Sequence, residues 1–170
     1  MFAVVLTGAP GAGKSHCLMI LSDALVDDEI AHAGIDADEV AWAWPFPDLA
    51  RRTELIAAAW EAHRRAAHEL VLVAEVIESD EHLSELLAAL GAKDHLLVAL
   101  EAGPVTLRDR IVAREPPGWS GLQHLLDEME RYAISIGELG GIGLTVDTEE
   151  TPPEQVAGLI RAERPDVLGG

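Results

Sequence analysis

The chain has 170 residues, the length of one domain with one sizeable core, and the whole of 1–170 reads as a single domain. Apolar residues make up 49% and charged residues 25%, and no run of about 18 uninterrupted apolar residues is available to span a bilayer. Thirty acidic residues against 12 basic ones leave a formal charge of −18. A field of that sign repels nucleic acid and anionic membranes, whose binding draws on Lys and Arg, so neither is expected as a partner.

The apolar run Phe2 to Thr7 predicts a buried strand, and a glycine loop follows it at once. From Lys14 the pattern turns helical, with Cys17, Leu18, Leu21 and Leu25 along one face, until it dissolves at Asp27-Asp28-Glu29. Cys17 is the single cysteine. It rules out an internal disulfide and fits a reducing compartment, and with no basic stretch before the first apolar run the expected location is the cytoplasm.

Ile30 to Ile35 reads as a second strand, followed by "GIDADE" and then "VAWAWPFPD", where Pro45 and Pro47 forbid a regular helix. Asp48 can cap a long helix reaching about His68, with Leu49, Ile56, Trp60 and His63 as inner positions. Leu70 to Ala74 is a continuous apolar run, as in a parallel strand buried on both faces. Ser79 and Asp80 can open the next helix and Gly91 can close it.

His95 to Leu100 reads as a fourth strand, Val105 to Arg114 as a basic helix broken by "EPPGWSG", and Leu122 to Gly137 as another helix. Leu144 to Val146 is a last short strand. In "TPPE", Thr151 can be the N-cap, Pro152 the first helical residue and Glu154 the end of a capping box. Strands alternating with helices in this way predict an α/β fold: three α/β/α layers around a five-stranded parallel sheet with right-handed crossovers.

Chemistry is concentrated in a few places. Gly8-Ala9-Pro10-Gly11-Ala12-Gly13-Lys14-Ser15 fits G-x-x-x-x-G-K-[ST] between a strand and a helix, where backbone N–H groups can surround a phosphate. In that setting Lys14 reaches the β- and γ-oxygens and the Ser15 hydroxyl ligates Mg²⁺. Ligands of open α/β sheets lie beyond the carboxyl ends of the strands, which directs attention to Asp36 and Asp38 after the second strand and Glu75 after the third. Asp36 or Asp38 could accept the proton of a substrate hydroxyl, hold a metal-bound water, or cap the following segment. Glu75 could act as a Walker-B-like carboxylate, grip the substrate, or pair with an arginine.

Arg108, Arg110 and Arg114 cluster ahead of the Pro/Gly-rich break, so residues 108–124 read as a short lid whose arginines could close on a γ-phosphate. Trp42, Trp44 and Phe46 could stack on a flat or apolar acceptor or fill the core. The seven histidines form no metal-ligand spacing.

Taken together, "GAPGAGKS", "GIDADE", "LRDRIVARE" and "LTVDTEETPPEQVAGLI" follow the order and spacing of small P-loop kinases. Over essentially its whole length the chain resembles the chloramphenicol phosphotransferase-like group, cousins of adenylylsulfate, gluconate and shikimate kinases. The resemblance implies ATP and Mg²⁺, with Asp36 as general base for a substrate hydroxyl. It implies Arg110 and Arg114 as lid arginines over the phosphates and beside the adenine, and Thr148 in the loop around the base. The nucleotide-binding stretch then runs from Gly8 to His16, although the group commonly carries a second hydroxyl residue where this chain has His16.

The expected function is an ATP-dependent phosphotransferase acting on a hydroxyl-bearing small molecule, an antibiotic or other metabolite, with Asp38, Trp42 and Glu75 beside Asp36 in the acceptor site. The expected assembly is a monomer or small homo-oligomer. A nucleoside or nucleotide kinase is the alternative, for which Arg51, Arg52, Arg64 and Arg65 are the candidate phosphate holders. A non-catalytic nucleotide-binding protein is the third reading. A switch GTPase is disfavoured because N-K-x-D is absent, the other lysine standing in "AKDH".

Overall fold

The computed structural model describes residues 1–169. Five strands form one sheet: β1 (Phe2–Thr7), β2 (Ala33–Asp36), β3 (Leu70–Ala74), β4 (Asp94–Glu101) and β5 (Leu144–Asp147). Their order is β2-β3-β1-β4-β5 and every pairing is parallel, as the sequence predicts. The helices are α1 (Lys14–Asp27), α2 (Ala37–Val40), α3 (Leu49–Arg65), α4 (Asp80–Leu90), α5 (Pro104–Arg114), α6 (Leu122–Gly137), α7 (Pro153–Glu163) and α8 (Pro165–Leu168).

Alternation along β1 divides the core between two faces. Phe2, Val4 and Leu6 pack with Leu21 and Leu25 of α1, Ile111 of α5, Met129 of α6 and Ile160 of α7. Ala3 and Val5 pack on the other side with Ile56 and Trp60 of α3 and Leu86 of α4. The Trp60 indole, wholly buried, donates to the Leu90 carbonyl at 3.0 Å and locks α3 to α4. Every residue of β1 and β3 is buried, because helices cover both faces.

Three local expectations are corrected. The chain turns at Asp28 and Glu29, residues 30 to 32 lie outside the sheet, and β2 begins at Ala33. The Ile30 N–H returns to the Leu25 carbonyl, and the His32 ring donates through Nδ1 to the Ile30 carbonyl at 2.8 Å while accepting from the Ser22 hydroxyl at 2.7 Å. Pro152, not Thr151, is the N-cap of α7, with Pro153 in its first turn and no side-chain cap bond. A proline at the cap supplies no side-chain acceptor, so the capping box does not form. His63 is exposed on α3, and the inner stripe is Thr53, Ile56 and Trp60. The caps at Asp48, Ser79 and Gly91 form as expected, Asp48 accepting from the Arg51 N–H and Gly91 adopting φ 71°.

Candidate functional site

The loop between β1 and α1 is shaped by where side chains cannot be. Gly11 has φ 86°, and a Cβ built there would lie 2.7 Å from the Leu107 carbonyl oxygen of α5. At Gly8 a Cβ would meet the Leu100 carbonyl oxygen of β4 at 2.5 Å. The backbone of residues 8–13 is thus drawn against two neighbouring elements, and α1 starts from it with Gly13 as a left-handed N-cap. That is the cradle a phosphate needs: main-chain donors at a helix N-terminus with no Cβ in the way.

Lys14 reaches back over this loop and donates from Nζ to the carbonyls of Gly8 at 2.8 Å and Ala9 at 3.4 Å. Burial lowers its pKa, opposed by the carboxylates of Asp38, Glu75 and Asp36, while Arg114 adds to the lowering. The nearby carboxylates thus favour the charged form of this half-buried ammonium, the form able to meet phosphate oxygens. Ser15 and His16 are exposed at the start of α1. An exposed hydroxyl there, with clear space around the Gly13 Cα, fits a metal-bound triphosphate. Among the described residues no group of three or more His, Cys, Asp or Glu could hold a metal by itself.

The carboxyl ends of β2 and β3 bring the remaining carboxylates beside the loop. Asp36 ends β2 opposite Ala74, the last residue of β3, so Asp36 and Glu75 emerge on adjacent strands. The Glu75 N–H bonds back to the Leu6 carbonyl at 3.1 Å, and the Ile77 N–H bonds the Thr7 hydroxyl at 2.9 Å, which carries the segment after β3 along the end of β1.

Their states differ. Asp36 is half-buried, caps α2 by accepting the Asp38 N–H at 3.0 Å through one oxygen, and forms no ion pair among the described residues. Asp38 is exposed and bonded to Arg52 at 3.0 Å. Glu75 is 2% exposed and takes a two-point bond from the same arginine, at 2.8 and 3.2 Å, plus the Val76 N–H at 2.8 Å. Burial pushes the Glu75 carboxyl up in pKa while Arg52 and the Val76 N–H pull it down. Burial works against the Arg52 charge, but Glu75 and Asp38 outweigh it and raise its pKa.

Of the arginines expected in a lid, Arg110 is bonded within the fold. It donates to the Thr148 hydroxyl at 2.9 Å, the Thr148 carbonyl at 2.8 Å and the Gly11 carbonyl at 3.3 Å. The Thr148 hydroxyl in turn donates to the Glu101 carbonyl at 3.0 Å, so it is fully used within the fold. Arg114 is exposed, bonded to Glu115 at 2.7 Å, and Arg108 is exposed. Trp42, Trp44 and Phe46 are 88%, 84% and 74% exposed, which removes the core-filling reading of these rings. Trp44 and Phe46 meet edge to face, with centroids 5.4 Å apart.

Sequence reasoning grouped Arg52 with three other arginines and gave it no role of its own. The signal was present: Arg52 lies four residues before Ile56 and eight before Trp60, on the buried stripe of α3. A charge there calls for a buried partner, and Glu75 ends a fully apolar strand. Two further features carried no signal. The Tyr132 hydroxyl of α6 donates to Glu78 at 3.3 Å, and burial, then Glu78, push its pKa up to about 12. His82 is 2% exposed, with its Nε2 unpartnered.

No protein-family model matches the chain, and a search of curated proteins by sequence finds no match. Solved structures do resemble it. A sugar kinase from Janibacter sp. HTCC2649 superposes with a TM-score of 0.65 at 19% identity, over 99% of this chain and 96% of that one. The Mycobacterium tuberculosis APS kinase CysC, in complex with AMPPNP and APS, gives 0.63 at 19% identity over 95% of each chain. A gluconokinase from Sinorhizobium meliloti 1021 gives 0.60 at 19% identity over 95% of this chain and 90% of that one. The chain shares its fold with these three kinases. Among the described residues no helix is long and apolar enough to cross a membrane.

Proposed function

We propose that the protein is an ATP-dependent phosphotransferase that moves a γ-phosphoryl group to a hydroxyl of a small molecule in the cytoplasm. The observation that carries this reading is the meeting of a glycine-rich phosphate cradle and its lysine with a half-buried carboxylate that forms no ion pair among the described residues, Asp36, at the end of β2. That three kinases share the fold supports the same reading.

Mg-ATP bound at the loop supplies the transferable group, and its charge is spread over oxygens that need fixed positive partners. Main-chain N–H groups of the loop, such as those of Gly11 and Gly13, and the Lys14 ammonium would hold the β- and γ-oxygens, and the Ser15 hydroxyl would ligate the metal. Asp36 takes the proton of the attacking hydroxyl through the oxygen that does not cap α2. Asp38 is exposed and shares Arg52 with Glu75, whereas Asp36 is half-buried and forms no ion pair among the described residues, which favours Asp36 as the base. Arg110 holds the loop to the strand carrying Thr148, and Arg114, on the exposed end of α5, swings from Glu115 toward the phosphates as residues 108–124 close. Trp42 and Glu75 flank the acceptor, and His16 lies at the α-phosphate end of the loop.

A monophosphate acceptor is less well supported. Arg51 is bonded to Glu54, Arg52 to Glu75 and Asp38, and Arg64 and Arg65 to Glu61. Arg64 and Arg65 also close α3 at the end from which the chain enters β3, opposite the cradle. Chloramphenicol-type antibiotics are the acceptors that the sequence resemblance suggests.

Incubation with Mg-ATP and a panel of nucleosides, sugars and antibiotics, read by mass gain of one phosphate, tests the reading beside an Asp36→Asn control. Phosphate on one compound with wild type and a collapse with the variant supports it. ATP binding without transfer to any compound favours a non-catalytic nucleotide-binding protein.

A further inference from the structure

The acceptor end has a definite electrical character. Asp36, Asp38 and Glu75 converge there with one arginine, Arg52, and that arginine commits its Nε and Nη2 groups to Glu75 and Asp38. Its two-point bond to a carboxylate that is 2% exposed is the geometry in which an arginine is hardest to detach. Of the other cations nearby, Lys14 is bonded to the loop carbonyls of Gly8 and Ala9, and Arg114 is bonded to Glu115. An incoming anion would therefore meet three carboxylates against one arginine already bonded to two of them, whereas an ammonium would meet Asp36, which forms no ion pair among the described residues, and the exposed Asp38.

A second observation concerns shape. Residues 41–48 join α2 to α3, and the Asp38–Arg52 bond at 3.0 Å staples the two ends of this strap beside the acceptor carboxylates. The strap presents Trp42, Trp44 and Phe46 to solvent, far more aromatic surface than a small protein normally leaves bare. It borders a groove of about 540 Å³ lined by Val40, Trp42, Pro45, Phe46, Arg51 and Leu55. Arg51 is itself bonded to Glu54. Its lining takes in Val40 of α2 and Arg51 of α3, near in sequence to Asp38 and Arg52, so the groove offers a place for the flank of the molecule that presents the hydroxyl. Indole faces next to carboxylates suit an apolar or aromatic body carrying a cation.

We propose that the acceptor is an amine-bearing alcohol with an apolar or aromatic flank that lies on Trp42, Trp44 and Phe46, and that anionic acceptors are rejected. This rests on the phosphotransferase reading and narrows it. It also separates the chain from proteins of the same fold named for the anions gluconate and APS.

Three probes share a phenyl ring and a hydroxyl and differ in charge: phenylalaninol, 3-phenylpropane-1,2-diol and 3-phenyllactate. Ligand-observed NMR titration of the full chain is expected to rank them in that order, with about tenfold between amine and acid, the size of one partly screened charge contact. Asp38→Asn removes one carboxylate and frees Arg52, so the ratio of amine to acid shrinks several-fold, while Trp42→Ala weakens all three alike. Thermal melts check that both variants stay folded. Equal or tighter binding of phenyllactate overturns the proposal, as does the absence of binding by all three at millimolar concentration. The two readings fail separately: anionic compounds gaining phosphate in the Mg-ATP panel would sink the charge inference alone, and amine binding without any transfer would sink the kinase reading alone.

Discussion

At the donor end the groups that would meet a phosphate are main-chain N–H donors, shaped by glycines pressed against the carbonyls of Leu100 and Leu107. At the acceptor end, a strand or two away, the same kind of fixed polarity is built from side chains: Asp36, Asp38, Arg52 and Glu75, bonded at 2.8 to 3.2 Å. A backbone cradle tolerates only one conformation but many neighbours, and it recurs wherever a phosphate must be held. An ion-pair network ties stability to recognition, since each carboxylate both holds the protein together and sets the charge the acceptor must carry. The consequence is that side-chain substitutions at the donor end should cost rate, whereas those that break the Arg52–Glu75 pair at the acceptor end should cost folding as well.

Asp36→Asn should break catalysis most. It keeps an oxygen that can cap α2 and removes the base, so kcat is expected to fall about 10²–10⁴-fold with ATP affinity and melting temperature unchanged. A variant that retains full activity would show that the proton leaves by another route. Glu75→Leu removes the buried partner of Arg52 and should lower stability by about 3–5 kcal/mol, read by urea unfolding. A loss below about 1 kcal/mol would mean that the network does not hold the acceptor end, since that is the range of an exposed pair. Lys14→Met deletes a single charged donor, and the expected loss is about 10²–10³ in kcat. The melting temperature should stay level or rise, because the ammonium is half-buried and its pKa is lowered by burial. Gly11→Ala strikes the donor end where it is rigid: the positive φ and the 2.7 Å approach to Leu107 predict about 1–3 kcal/mol of destabilisation.

The same contrast explains what could be read in advance. The five strands, the caps at Asp48, Ser79 and Gly91, and the loop from Gly8 to Ser15 are local patterns of periodicity and turn chemistry, and they appear as the sequence implies. Pro152 misled by one residue because two consecutive prolines both suit a helix start. Ile30 misled because an apolar residue after a helix can close a turn onto Leu25 as well as open a strand. The acceptor end was legible only as candidates: Arg52 and Glu75 are 23 residues apart, and that they pair is a property of the packed sheet and α3. The exposure of Trp42, Trp44 and Phe46 runs against composition, since large aromatic rings are usually buried.

His82 offers the smallest and most specific test, because it joins neither end directly. Its ring is buried on α4, the Nδ1 accepts the Glu78 N–H at 3.2 Å, and the neutral ring therefore carries its proton on Nε2, which has no partner among the described residues. Burial lowers its pKa, Glu78 opposes this, and Arg52 adds to the lowering. A histidine whose folded pKa lies below its unfolded value binds more protons when unfolded, so folding gains stability as pH rises. Its contribution is complete above the ordinary histidine value of about 6.5 and drains away as pH falls toward the folded pKa. The slope cannot exceed about 1.4 kcal/mol per pH unit, the limit for one proton. His82→Asn keeps an acceptor for the Glu78 N–H but cannot titrate. Urea unfolding from pH 7 to 5 should show a shallower fall in stability for the variant than for the wild type. Parallel curves would place the acid sensitivity in the carboxylates around Arg52 instead, and would return the explanation to the acceptor end.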